Sequence, residues 1–230
     1  MLGNGGNEAM KVGLVGAATF PDEEFQEGWE YWGINNCFRD FKRCKFTRWF
    51  DIHKFSQRGR QWYRRSSATY PLWGKPVSVR RYLGALDKLG IPVYMQEFNP
   101  IVEQAVSFPF EELMQHFGTS YFGCSFAWMI ALAIQEGATD IALHGIALSG
   151  PEYYYQRPSV EFFLGFAMAQ GIVIHNHPSS QMLRAPWVYA YNERFDVIDG
   201  IYGRNMNALV TEMTICAQQY AMRLIEGGRK

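Results

Sequence analysis

The sequence predicts a doubly wound, mostly parallel α/β sheet of the Rossmann-like type, with helices on both faces. Three observations carry that expectation. Apolar runs of strand length at 11–15, 31–34, 46–52, 91–95, 140–144 and 172–174 alternate with helical periodicity at 77–89, 122–136 and 158–170. The strand runs are continuous rather than alternating, as in a sheet buried on both faces. The chain has 230 residues, 48% of them apolar, enough for one large core, and shows no internal repeat or heptad run.

Each element has its own local signal. Residues 1–10 are polar and Gly-rich and read as a disordered N-terminal segment. The first strand ends at Gly16-Ala-Ala-Thr19, and 21–28 carries acids early, as the first turn of a helix prefers. Asn35-Asn36 stops the second strand, and His53 follows the third. The helix over 122–136 carries small residues on one stripe and ends at Gly137; Gly145 closes the strand at 140–144. Pro158 opens the next helix and Gly171 closes it. The expected organisation is a nucleotide-binding domain over 11–203 with a basic insertion at 38–81, then a C-terminal helix over 204–230 suited to a homodimer contact.

Composition narrows the function. Lys plus Arg and Asp plus Glu both total 22, which excludes a globally basic nucleic-acid binder and an acidic tail. Aromatic residues reach 16%, enough to line a cleft as well as a core. The four cysteines (37, 44, 124 and 216) have no zinc-knuckle spacing, and His175 and His177 have no Cys or acid beside them in sequence, so no metal is expected. No signal peptide or bilayer-spanning run is read. A soluble protein of a reducing compartment is the expectation.

In a doubly wound sheet, ligands sit beyond the carboxyl ends of the strands. Gly16, Ala17 and Thr19 form a strand-to-helix turn able to offer N–H groups to a phosphate, or simply a tight turn; the GxGxxG and Walker patterns are both missing. Asn35 and Asn36 suit a ribose or a base edge, or a left-handed turn. Ser125 opens a helix within a hydroxyl cluster. Arg157 can hold a phosphate, and Glu161, four residues on, is either its salt-bridge partner or a general base. His53 is a second candidate base.

The segment 38–81 holds thirteen Lys or Arg against two acids, a local charge of +11, with aromatic residues interleaved. That mixture suits a nucleic-acid backbone with exposed bases, through Arg58, Arg60, Arg64 and Arg65, or an exposed charged loop compensated elsewhere.

Trp32-Gly-Ile-Asn-Asn36, Arg48-Trp-Phe-Asp-Ile-His53, Pro92-Val-Tyr-Met-Gln96, the run from Phe122 to Ile134, and Tyr155-Gln-Arg-Pro158 with Glu161 resemble a family of small tailed-phage proteins over about 12–183. More distantly, the layout is similar to bacterial sialyltransferases that use CMP-sugars, and to the motility-associated glycosyltransferase and pterin pyrophosphokinase-like group. On that resemblance Gly16, Asn35, Ser125, Gly145 and the Pro178-Ser179-Ser180 segment hold a nucleotide. The chain departs from the sialyltransferase pattern where a catalytic His follows the Gly-ended strand, carrying Tyr-Gln-Arg-Pro…Glu instead. The resemblance implies a cytoplasmic transferase of a phage-infected bacterium. It would take a nucleotide-activated donor as substrate and require no cofactor, and the basic segment suggests an acceptor within DNA, such as a modified base. The alternatives are a non-catalytic nucleotide binder and a nucleic-acid-binding module.

Overall fold

A computed structural model describes residues 9–20, 24–38, 44–72 and 74–185. The strands β1 (Lys11–Val15), β2 (Glu30–Ile34), β3 (Phe46–Asp51), β8 (Val93–Met95), β9 (Ala105–Ser107), β10 (Asp140–His144) and β11 (Val173–Asn176) form one seven-stranded sheet. Its order is β11-β10-β1-β2-β3-β8-β9, and every pairing is parallel. Between β3 and the helix α1 (Val79–Asp87) stand two antiparallel hairpins, β4 (Phe55–Arg58) with β5 (Gln61–Arg64), and β6 (Thr69–Leu72) with β7 (Lys75–Ser78). The remaining helices are α2 (Phe110–Phe117), α3 (Ser125–Gln135) and α4 (Arg157–Ala169).

The helices cover both faces. On one, Val79, Tyr82, Leu83 and Leu86 of α1 join Val15, Tyr31, Phe46, Trp49 and Val93 of the sheet and Trp62 and Leu72 of the hairpins in one buried cluster. On the other, Phe50 packs against Tyr94 and Phe108, and Phe108 against Trp128 of α3. A bulge where β2 pairs with β3 puts Phe46 and Trp49 on the same face despite their odd spacing. Gly33 is required there, because a Cβ would lie 2.1 Å from the Trp49 ring.

The chain divides into two units, Met1–Leu148 with Tyr155–Met182, and Ser149–Tyr154 with Leu183–Lys230. The sheet and the four α-helices of the described residues belong to the first. The second contributes a 3-10 turn, Pro151–Tyr153, to the described residues. The C-terminal helix expected over 204–230 lies outside the described residues, as do residues 1–8 of the segment 1–10 expected to be disordered.

Two expectations are corrected. The described part of the segment expected as a first helix, 24–28, runs irregularly into a turn: acids in a first turn favour a helix only where apolar periodicity follows, and here it does not. Within the basic stretch 38–81, the expected strand and the start of the expected helix form as β3 and α1, and the two hairpins between them are unexpected. Beyond the four hairpin strands, two more elements exceed the expectation, β9 and α2; β9 has three residues, two of them exposed, so it carries little apolar signal. The helix starts are set by caps. Ser78 Oγ accepts from the Arg81 N–H at 3.3 Å and holds Val77 in its hairpin, while extended Cys124 delays α3 until Ser125.

Candidate functional site

The carboxyl end of β3 carries the densest polar cluster among the described residues. Asp51 is the last residue of β3 and is completely buried. An isolated carboxylate there would be expensive, and it is solvated by protein groups instead. His53 Nδ1 lies 2.7 Å from Asp51 Oδ1, and the Tyr82 hydroxyl donates to Oδ2 at 2.5 Å. Arg64, returned from β5, donates Nε and a terminal nitrogen to Oδ1 at 3.4 and 3.3 Å. Burial alone would raise the Asp51 pKa, but the His53 hydrogen bond, the Arg64 charge and the Tyr82 hydroxyl outweigh it and hold the carboxyl below its ordinary range. Burial and the adjacent carboxylate push Tyr82 well up, so it stays a donor.

Arg64 is held on every side. Its guanidinium stacks 3.9 Å above the Tyr70 ring and donates to Asn35 Oδ1 at 3.3 Å. Burial raises Tyr70 to about 12. The two hydrogens of that terminal nitrogen are accounted for by Asp51 and Asn35, although it also lies 2.5 Å from His53 Nδ1. Nδ1 thus faces both a carboxylate acceptor and a guanidinium donor, and it donates to Asp51 in the tautomer that leaves Nε2 as the acceptor. Nε2 makes no hydrogen bond among the described residues, and its ring borders a cleft of about 330 Å³. Gln57, Trp62, Gln96, Glu97 and exposed Phe98 line the same cleft. A carboxylate that orients an imidazole and leaves its far nitrogen open is the arrangement of a general base.

Of the other sequence-selected residues, Asn35 and Arg64 belong to this cluster, and the rest lie elsewhere. Gly16 and Gly145 serve each other: the Gly16 N–H donates to the His144 carbonyl and the Ala18 N–H to the Gly145 carbonyl, both at 2.8 Å. A Cβ on Gly16 would meet the Gly145 oxygen at 2.5 Å. Ala17 and Thr19 are exposed beside this crossing. Asn35 adopts φ 49°, the left-handed turn conformation, and its carbonyl accepts from Trp49 Nε1. Asn36 donates to the Pro71 carbonyl. Ser125 opens α3, which packs on the face opposite Tyr82.

Arg157 and Glu161 form the i,i+4 pair that opens α4, at 2.9 Å, and Arg157 also donates to the Gln181 carbonyl. Ser179 is exposed, whereas Ser180 is buried and donates to the Ile146 carbonyl. Arg58, Arg60 and Arg65 stand exposed on the β4–β5 hairpin, while Arg64 is 7% exposed and engaged with Asp51. Among the described residues no group of three His, Cys, Asp or Glu could hold a metal ion. Sequence reading named His53 but missed Asp51, Tyr82 and the inward turn of Arg64. The available signal was an acid ending an apolar strand, two residues before a His.

No family model matches this chain, and no curated protein matches it. Among solved structures it is similar to the sialyltransferase CstII from Campylobacter jejuni, determined in complex with the substrate analogue cytidine-5'-monophosphate. The two are 12% identical over 85% of this chain and 98% of that one, with a TM-score of 0.43. Among the described residues no helix is long and apolar enough to cross a membrane.

Proposed function

We propose that this protein is a group-transfer enzyme in which His53, oriented by Asp51, deprotonates an acceptor hydroxyl, and that its donor is a nucleotide-activated sugar. The observation that carries the reading is the 2.7 Å contact from buried Asp51 to His53 Nδ1, with Nε2 left open at a cleft. The acceptor O–H gives its proton to Nε2. The oxygen bonds to the anomeric carbon, and the carbon–oxygen bond to the nucleotide phosphate breaks, its electron pair leaving with the phosphate. The imidazolium then returns the proton to water. A ligand at the carboxyl edge of a doubly wound sheet agrees with where such sheets bind nucleotides.

The hairpin that walls the cleft carries exposed Arg58, Arg60 and Arg65, which supports a polyanionic acceptor, such as a hydroxymethylated pyrimidine in phage DNA. The test is transfer of label from tritiated nucleotide sugars to modified DNA. Transfer by the wild type and its loss in His53→Ala are expected; no transfer from any common donor overturns the reading. A non-catalytic nucleotide binder is the second reading, favoured by the number of structural partners that Asp51 already satisfies. It has no turnover for His53→Ala to remove.

A further inference from the structure

A second and larger hollow, about 490 Å³, lies on the same face of the sheet as α1 but over β10 and β11. Along its edge the described residues 24–29 run irregularly, with no helix over the strands there. Trp29, Tyr31, Ala142, His144, His175 and His177 line it, and small Ala142 keeps the floor low. His144 and Asn176, also on the lining, are the last residues of β10 and β11. The groove thus reaches the carboxyl ends of two strands beside the β1/β10 junction, where the strand order reverses direction. That junction is where open α/β sheets take ligands.

The hydrogen-bonding valences in the groove are specific. The Ser179 N–H donates to His177 Nδ1 at 3.1 Å, so the proton of a neutral His177 ring sits on Nε2. The ring is held flat against Phe20, centroids 5.0 Å apart and planes 4° apart. His175 Nε2 lies 2.8 Å from Asp140 Oδ1. That hydrogen bond, aided by Thr139 and Lys11, keeps the carboxyl below its ordinary range, so His175 donates from Nε2, and in a neutral ring Nδ1 carries the lone pair. Trp29 stands edge-on to His175 at 5.2 Å, with Lys11 Nζ 5.8 Å from the indole centroid.

The groove therefore offers an N–H donor, a lone-pair acceptor and flat aromatic surface, with the carboxamides of Gln26 and Asn176 and the carboxylate of Glu24 around them. Among the described residues no Lys or Arg lines it, so a bare phosphate would find no fixed positive charge, and a purely apolar ligand would leave the second nitrogens of His175 and His177 unused. A planar base that stacks and hydrogen-bonds must therefore supply most of the binding, its phosphate being taken by the imidazole N–H alone.

We infer that this histidine-lined groove binds a nucleoside monophosphate moiety, with His177 and His175 as its polar contacts. The inference rests on the reading above only for the class of ligand, and it involves no residue of the Asp51–His53 cluster.

The test is calorimetric titration of the full chain with CMP, UMP, AMP, GMP and inorganic phosphate. At least one nucleotide should bind at one site per chain, with inorganic phosphate weaker by about tenfold or more. The double variant His175→Ala/His177→Ala should lose at least about tenfold in affinity. His177→Gln retains a side-chain N–H and should lose less, and His53→Ala should bind as wild type. Unchanged melting curves establish that the variants are folded. Absence of binding by all four nucleotides, or unaltered binding by the double variant, overturns the inference. Failed sugar transfer with these affinities intact sinks the transferase reading alone. Transfer in the wild type with nucleotide affinity unchanged in the double variant sinks the groove alone.

Discussion

Replacing Asp51 by Asn tests the cluster most directly, because it removes one charge and almost no volume. The carboxylate is fully buried and faces Arg64, itself 7% exposed, so the substitution leaves a guanidinium in the interior without its counter-ion. Breaking a buried pair from one side costs about 3–5 kcal/mol. At about 2–4 °C per kcal/mol for a chain of this size, the melting temperature should fall by about 6–20 °C. Tyr82→Phe keeps the ion pair and removes only the 2.5 Å hydrogen bond to Oδ2, so it should cost about 1.5–3 kcal/mol, as expected of a bond to a charged group.

The pH dependence has a definite sign. Asp51 titrates lower in the folded chain than in the unfolded one, so its contribution is complete above the unfolded carboxyl value of about 3.9. It is lost as pH falls from there through the folded value. Asp51→Asn should therefore flatten the acid limb of a stability-against-pH curve measured by urea denaturation. A variant within about 1 kcal/mol of wild type, with its acid limb unchanged, would refute the assignment of a buried, ionised Asp51.

Four further outcomes are expected. Gly145→Ala should destabilise by about 2 kcal/mol or more in thermal unfolding, since it sets a Cβ 2.4 Å from the Ala18 oxygen at φ +60°. Gly118→Ala, at φ +62° with open space, should cost about 1 kcal/mol from backbone strain alone. Glu161→Gln should cost under about 1 kcal/mol, as a half-exposed i,i+4 pair does, and should leave label transfer intact if His53 is the base. Loss of transfer in that variant would move the catalytic centre to α4. Replacing Arg58, Arg60 and Arg65 together by Ala should lower the slope of log affinity for DNA against log salt by about 3, read from binding titrations across salt.

How much of this was legible beforehand can be followed residue by residue. The apolar runs ending at Val15, Ile34, Met95 and His144 announced a parallel sheet, because a strand buried on both faces must be apolar throughout. The same logic located the carboxyl ends, and so placed His53 and His177 at a rim. These are statements about local composition, and local composition is all that periodicity reports.

Which groups face one another was decided only by tertiary structure. Arg64 reads in the sequence as one of four equivalent arginines, yet the β4–β5 hairpin turns it inward onto Asp51 and leaves Arg58, Arg60 and Arg65 in solvent. Tyr82 meets Asp51 across 31 positions of chain. Gly16 and Gly145, each plausible as a phosphate turn, instead close on each other because two loops cross at the β1/β10 junction. Burial and pairing depend on the register and hand of distant segments, which act over the whole sheet and leave no mark on the few residues around any one of them.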